Sequence, residues 1–206
     1  MEKNFTEQDS LRLINEMINQ ARNNFQKGST NSGIFCGYVV AATAFANFIL
    51  IRTMEDPNRS FWIWLTMIPM MIISGIISRK HQRESTVRTH IDKIASSIWN
   101  AFAISIGILL ISTYGTAYAI NSSYLGILIT PIILTMMGAA QYITSVACRF
   151  KPYLYGSFIS WSGALACVVC YLLHAGAYQF IVLGICAILG LSIPGHIANK
   201  KAGENV

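Results

Sequence analysis

Asp, Glu, Lys and Arg are absent from residues 33–51, 60–78, 94–148 and 152–199, windows of 19, 19, 55 and 48 residues. A helix needs about 20 mostly apolar residues to cross a bilayer. The first two windows therefore fit one span each, and the last two fit two each. A single 48-residue helix would be ~72 Å long, far beyond the ~30 Å hydrocarbon core. The chain reads as an all-α integral membrane protein with a six-transmembrane-helix bundle. Its composition agrees: 53% of the 206 residues are hydrophobic and 12% charged, about half the charge of an average soluble domain. A soluble globular enzyme, a nucleic-acid-binding domain, a disordered chain and a disulfide-rich secreted domain are all disfavoured.

The spans are expected at about 33–51, 60–78, 98–119, 125–147, 155–174 and 178–198. Residues 1–32 and 199–206 are left as an N-terminal segment and a tail. The polar, proline-bearing run from Arg52 to Arg59 makes a tight turn. Asn121-Ser-Ser123 and His174-Ala-Gly176 split the two long windows. Thirteen of the fifteen basic residues fall on one side: in the N-terminal segment, in the 79–97 link, at Arg149 and Lys151, and at Lys200 and Lys201. The other side has only Arg52 and Arg59, beside Glu55 and Asp56. By the positive-inside rule both termini are cytoplasmic. The net charge of +6 is then a topology signal with some attraction to anionic lipid, and no nucleic-acid partner is implied. The polar, acid-bearing residues before the first span do not resemble a cleavable signal peptide. Aromatic belts are expected from Phe61, Trp62, Trp64, Tyr124 and Tyr178 at the outer interface. Phe35, Tyr38, Trp99, Phe150, Tyr153 and Tyr155 would form the inner one.

Thr6-Glu-Gln-Asp9 has capping-box spacing with acids in a first helical turn. Leu11, Ile14, Ile18, Ala21 and Phe25 then recur at three- and four-residue steps. This predicts a cytoplasmic amphipathic helix, lying on the membrane or the bundle, or presenting a docking stripe to a protein partner or second copy. A second stripe, Val87, Ile91, Ile94 and Ile98, runs from the basic link into span 3. Arg22 to Lys27 compares with Arg88 to Lys93, and Ser32 to Tyr38 with Ser96 to Phe102. This suggests a repeated unit of basic elbow plus two spans. Pro69, Pro131 and Pro194 sit at unequal depths and read as local kinks.

No Asp, Glu, Lys or Arg lies within any expected span, which argues against a proton-driven antiporter or a voltage sensor. The polar groups that remain are Asn47, Asn100, Gln141 and hydroxyls. Asn100 and Gln141 fall in the inner thirds of adjacent spans, where they would hydrogen-bond each other or line a polar cavity. Asn47, near the outer end of span 1, would be wetted by solvent or headgroups. Cys36, Cys148, Cys167, Cys170 and Cys186 read as packing residues. The letters of Cys167-Val-Val-Cys170 lack the charge and second ligand pair a metal or redox site needs. His81, His90, His174 and His196 form no metal-ligand pattern. No cofactor is implied. Small-x-x-x-small patterns at Gly33/Gly37 and from Gly184 to Gly190 allow close helix packing.

The runs Phe5–Ile14, Ala21–Gly28, Thr89-His-Ile-Asp-Lys-Ile94, Arg149-Phe-Lys-Pro152 and Ile193-Pro-Gly-His196 resemble a family of bacterial six-span membrane proteins of unknown activity. The resemblance covers nearly the whole chain. It implies an inner-membrane location and carries over no catalytic or ligand-binding residue. The expected function is that of a non-enzymatic sensor, accessory or interaction protein, with membrane lipid and a cytoplasmic or membrane protein as partners. The competing reading is a small permease or channel for a neutral or hydrophobic solute, formed as a homo-oligomer. A membrane enzyme would require His90, Asp92 and His196 to converge.

Overall fold

The computed structural model describes residues 30–84, 90–121 and 123–203. The N-terminal stripe of Leu11, Ile14, Ile18 and Phe25 lies outside the described residues, as does the first of the two compared elbows. Six helical spans long and apolar enough to cross a membrane run Asn31–Thr53, Arg59–Lys80, Lys93–Ala119, Gly126–Cys148, Lys151–Leu172 and Gly176–Lys201. No strand occurs among the described residues. The protein is an all-α, six-span membrane protein.

Span 1 is α1 (Asn31–Thr53). Span 2 begins as a 3₁₀ segment, Pro57–Thr66, and continues as α2 (Met67–Glu84). Span 3 is α3 (His90–Ala119), preceding the 3₁₀ turn Ser123–Leu128. Spans 4 and 5 are α4 (Ile129–Cys148) and α5 (Lys151–Leu172). Span 6 is composite: a short 3₁₀ turn, α6 (Gln179–Ala187), a π turn (Ile188–Ser192) and α7 (Ile193–Gly203).

The breaks have local causes. Asn121 and His174 adopt positive φ, 50° and 55°, a conformation in which Asn and His are among the more tolerated side chains. Arg149, also at φ 50°, caps the α4 C-terminus. Pro152 sits in the first turn of α5, where its missing N–H costs nothing. That start explains why the span begins four residues before the expected 155. Pro69, Pro131 and Pro194 each fall within the first three residues of an α segment that follows a 3₁₀ or π stretch, where a missing N–H is best tolerated.

The spans divide into a core and a periphery. Ala44 of α1, Leu134 and Met137 of α4, Ala164 and Cys167 of α5, Phe180, Leu183 and Cys186 of α6 and Leu191 of the π turn form the main buried cluster. It draws on spans 1, 4, 5 and 6. The α4–α5 pair is the most extensive, and α1 packs on span 6. Gly138 lets the Trp161 ring lie directly on α4, where the indole N–H donates to the Thr135 carbonyl at 3.2 Å. Spans 2 and 3 stand outside. Of their most apolar stretches 6% and 0% is buried, against 28% to 56% for the other four. Span 2 packs on α1, and span 3 on α4 and the turn before it.

This division corrects the expected repeat. In the first hairpin the leading helix is central, whereas in the second the trailing helix is. The unit therefore does not recur in its packing. The aromatic belts also change: Phe150 and Tyr153 are buried with Cys148 and Ala198 in a second small cluster, while Trp62 and Tyr155 are exposed as expected.

Candidate functional site: a buried amide at the break in the last span

Within a span, every polar side chain needs a partner, because hydrocarbon offers none. The polar residues of this protein sort by how that need is met.

Asn47 is fully buried, which overturns its expected solvation. The chain folds back through the 3₁₀ segment and sets Ser60 and Trp64 against it. With Nδ2 toward Ser60, the amide donates to the Ser60 Oγ at 3.0 Å and carbonyl at 3.1 Å, and Oδ1 accepts from Trp64 Nε1 at 3.0 Å. Nearby, Thr43 and Thr66 hydroxyls are 3.1 Å apart, and Ser32 and Ser74 hydroxyls 2.6 Å apart. Three polar bridges at three depths thus fasten span 2 to α1. At the same end as Asn47, the Arg52 guanidinium lies 4.5 Å from the Phe48 ring and 4.8 Å from the Tyr178 ring.

The opposite, basic end of α1 is clasped to α7. The Thr30 hydroxyl lies 3.0 Å from the Gly195 carbonyl and 2.9 Å from Asn199 Oδ1, donating to one at a time, and Asn199 Nδ2 donates to Asn31 Oδ1 at 2.6 Å. Tyr38 and His196 share a hydrogen bond of 3.1 Å. His196 is thereby engaged, and the side chains of His81, His90 and Asp92 lie outside the described residues.

Asn100 and Gln141 do not meet. Successive residues of a helix point ~100° apart. Trp99 and Phe102 turn toward the core cluster, so Asn100 faces outward and is exposed. Gln141 is fully buried and points from α4 between α5 and span 6. Ser160 Oγ lies 3.0 Å from Gln141 Oε1 and 2.9 Å from the Gly156 carbonyl. A hydroxyl has one proton, so Ser160 donates to one of these acceptors at a time. Gln141 Nε2 has no partner.

Gly156 and Gly190 make room for this amide. A Cβ on Gly190 would lie 2.9 Å from Gln141 Nε2, and one on Gly156 would lie 2.9 Å from the Gly190 carbonyl oxygen and 3.1 Å from Gln141 Oε1. The π turn follows from the sequence. Pro194 has no N–H and, in a regular α-helix, its ring would strike the carbonyl four residues back, which is that of Gly190. Widening over Ile188–Ser192 relieves the clash, and Gly190 cannot receive the usual bond from residue 194. Such π insertions are frequent at functional sites. Ser157 and Ser192, both fully buried, flank the same region. Ser157 donates to the Leu154 carbonyl at 2.7 Å, and Ser192 to that of Ile34 at 3.3 Å. Sequence reading found Gln141, and Gly190 only as a packing residue, but missed Ser160 and Gly156. The four-residue spacing of Gly190 and Pro194 was the available signal.

The site is neutral: amide, hydroxyls and carbonyls can recognise by hydrogen bonding but have no acid or base to transfer protons. No group of three or more His, Cys, Asp or Glu that could hold a metal occurs among the described residues. The five cysteines are free thiols, three of them buried. An apolar groove of about 280 Å³ opens between α4 and α5, lined by Leu128, Pro131, Thr135 and Val168 among others. The Thr135 hydroxyl turns back to the Pro131 carbonyl at 2.8 Å, so that side chain does not direct its proton into the groove.

Fold and site together define a multi-pass helical membrane protein with a neutral polar interior. No protein-family model, curated protein or solved structure matches the chain.

Proposed function

We propose that this protein is a non-enzymatic accessory or interaction protein of a bacterial inner membrane, with both termini cytoplasmic, that acts through association within the bilayer. The observation carrying this reading is that spans 2 and 3 have almost no fully buried residue in their most apolar stretches, beside a four-span core. Helices in lipid gain little from hydrophobicity alone and pair by packing and polar contacts. Two spans held outside a core offer lateral surface for that purpose. The distribution of basic residues supports this orientation, in which the basic link between spans 2 and 3 is cytoplasmic. Cross-linking of the tagged full-length protein in native membranes, followed by mass spectrometry, tests the reading. A stoichiometric adduct through spans 2 and 3 or their link is expected; recovery of uncross-linked monomer alone would overturn it.

A second reading, a small permease for a neutral solute, is favoured by one observation: the unpartnered Gln141 amide beside the π turn. Carriers place discontinuous helices at their binding sites. Flux of neutral solutes in proteoliposomes that disappears with Gln141→Leu would establish this alternative, and absence of flux across the panel would remove it.

A further inference from the structure

The uncovered face of α3 carries a regular pattern. Asn100, Ile104, Gly107, Ile111, Tyr114 and Tyr118 alternate in steps of four and three residues. That 3.5-residue period is the seam of a two-stranded helical pair. The large residues on it are open: Ile104 is 64% exposed, Ile111 76% and Tyr118 91%. A Cβ on Gly107 would meet nothing within 4 Å, so the glycine leaves a notch in the seam with no neighbour in it.

Asn100 gives the face its demand for a partner. It stands ~10 Å along the helix from Lys93 and ~30 Å from Asn121, with its amide turned outward. Two serines on α3 satisfy themselves: Ser97 donates to the Lys93 carbonyl at 2.9 Å and Ser112 to that of Leu109 at 3.0 Å. The Asn100 side chain makes no hydrogen bond to any described residue. An amide is both donor and acceptor and is therefore complementary to another amide.

We infer that α3 pairs in parallel with α3 of a second copy of this chain, with Asn100 meeting Asn100 and Gly107 meeting Gly107. Every copy inserted in the same orientation brings the amide to the same depth, which a two-fold axis along the membrane normal then sets face to face. Any other partner must supply its own polar group at that depth. An asparagine on such a seam fixes register and favours a parallel dimer, while Gly107 lets the two backbones approach. The opposite side of α3, with Trp99 and Phe102, stays on the core. This inference deepens the association reading by naming the partner as a second copy.

Disulfide trapping of the full-length protein in membranes tests it. α3 has no native cysteine, and the unsubstituted protein gives the background. Ile104→Cys is expected to yield an oxidant-dependent dimer. Ile72→Cys, 60% exposed on α2, is expected to stay at background. Adding Asn100→Leu to Ile104→Cys should lower the dimer yield about fivefold or more, in the range of one interhelical polar contact, while the monomer stays folded because the side chain makes no hydrogen bond within it. Equal trapping at 104 and 72, or a yield indifferent to Asn100→Leu, overturns the inference. An adduct of Ile104→Cys with a different protein rejects the second copy but leaves the association reading standing. Monomer alone at position 104, with none recovered by cross-linking elsewhere, rejects both.

Discussion

Pro194 stands four residues after Gly190 and two after the end of the π turn. The proline thereby determines both the break in span 6 and the rotation with which α7 reaches α1. Restoring an N–H at 194 removes the cause of the widened turn. Pro194→Ala is expected to let the span tighten, turning α7 around its axis and pulling Gly195, His196 and Asn199 away from Thr30, Tyr38 and Asn31. The paired substitutions Thr30→Cys and Asn199→Cys, at side chains now 2.9 Å apart, should form a disulfide in the parent and fail to do so with Pro194→Ala. A disulfide formed equally in both would show that the proline does not set the turn.

Asn47 should be costly to replace. Asn47→Leu strands the Trp64 N–H and deprives the buried Ser60 of its donor, and the expected loss is about 1–2 kcal/mol, seen as a lower thermal midpoint in detergent. Thr43→Val should cost less, below about 0.5 kcal/mol, because the Thr66 hydroxyl keeps the Ile63 carbonyl at 2.8 Å as an acceptor. Equal effects of the two substitutions would mean that span 2 is not anchored principally at Asn47.

The contrast between Asn47, Asn100 and Gln141 shows what was legible beforehand. Charge-free windows gave the number of spans and the turn at Arg52–Arg59, since charge is excluded from hydrocarbon, and the polar runs at Asn121 and His174 divided the two long windows. Depth was also readable, from distance to the flanking basic residues. Direction around the helix was not. In a soluble helix the polar face marks the solvent side, but in lipid both the core side and the outer side of α3 are apolar. Asn100 and Gln141 were therefore placed at compatible depths and assigned the wrong faces. Asn47 was misread for another reason: its partners Ser60 and Trp64 lie across a turn whose 3₁₀ geometry no hydropathy pattern encodes.

Glycines separate the packed from the open surface, and alanine substitution should separate them experimentally. Gly156→Ala places a methyl 2.9 Å from the Gly190 carbonyl oxygen and 3.2 Å from its Cα. These are backbone atoms that cannot swing aside, so the expected destabilisation is about 1–3 kcal/mol. Gly75→Ala on α2 meets nothing within 4 Å and should be neutral or gain up to about 1 kcal/mol by restricting the unfolded chain. Thermal midpoints of the two variants in one detergent decide the matter.

Thiol labelling reads the same division without mutation. Cys148, Cys167 and Cys186 are buried, whereas Cys36 and Cys170 are partly accessible. In detergent a small maleimide should add to two thiols quickly and to the other three only as the protein unfolds. Intact-mass measurement over time would show a plateau at two adducts. A direct rise to five below the melting transition would contradict the packing of α5 on α6.

Gln141 makes the sharpest test, because its packing and its presence point in different directions. Gln141→Leu keeps a side chain only one heavy atom smaller, removes a buried amide with an unpaired nitrogen, and leaves Ser160 its bond to the Gly156 carbonyl. Leaving a buried donor unmade costs about 1–3 kcal/mol, so the variant should match or exceed the parent in thermal midpoint. A residue whose removal stabilises the fold is one that the fold does not require, and such residues are characteristically held by function at the expense of stability. A higher midpoint together with lost flux or altered association would assign Gln141 a working role at the π turn. A midpoint lowered by several degrees would instead make the amide a structural tie, and would transfer attention to the exposed face of α3.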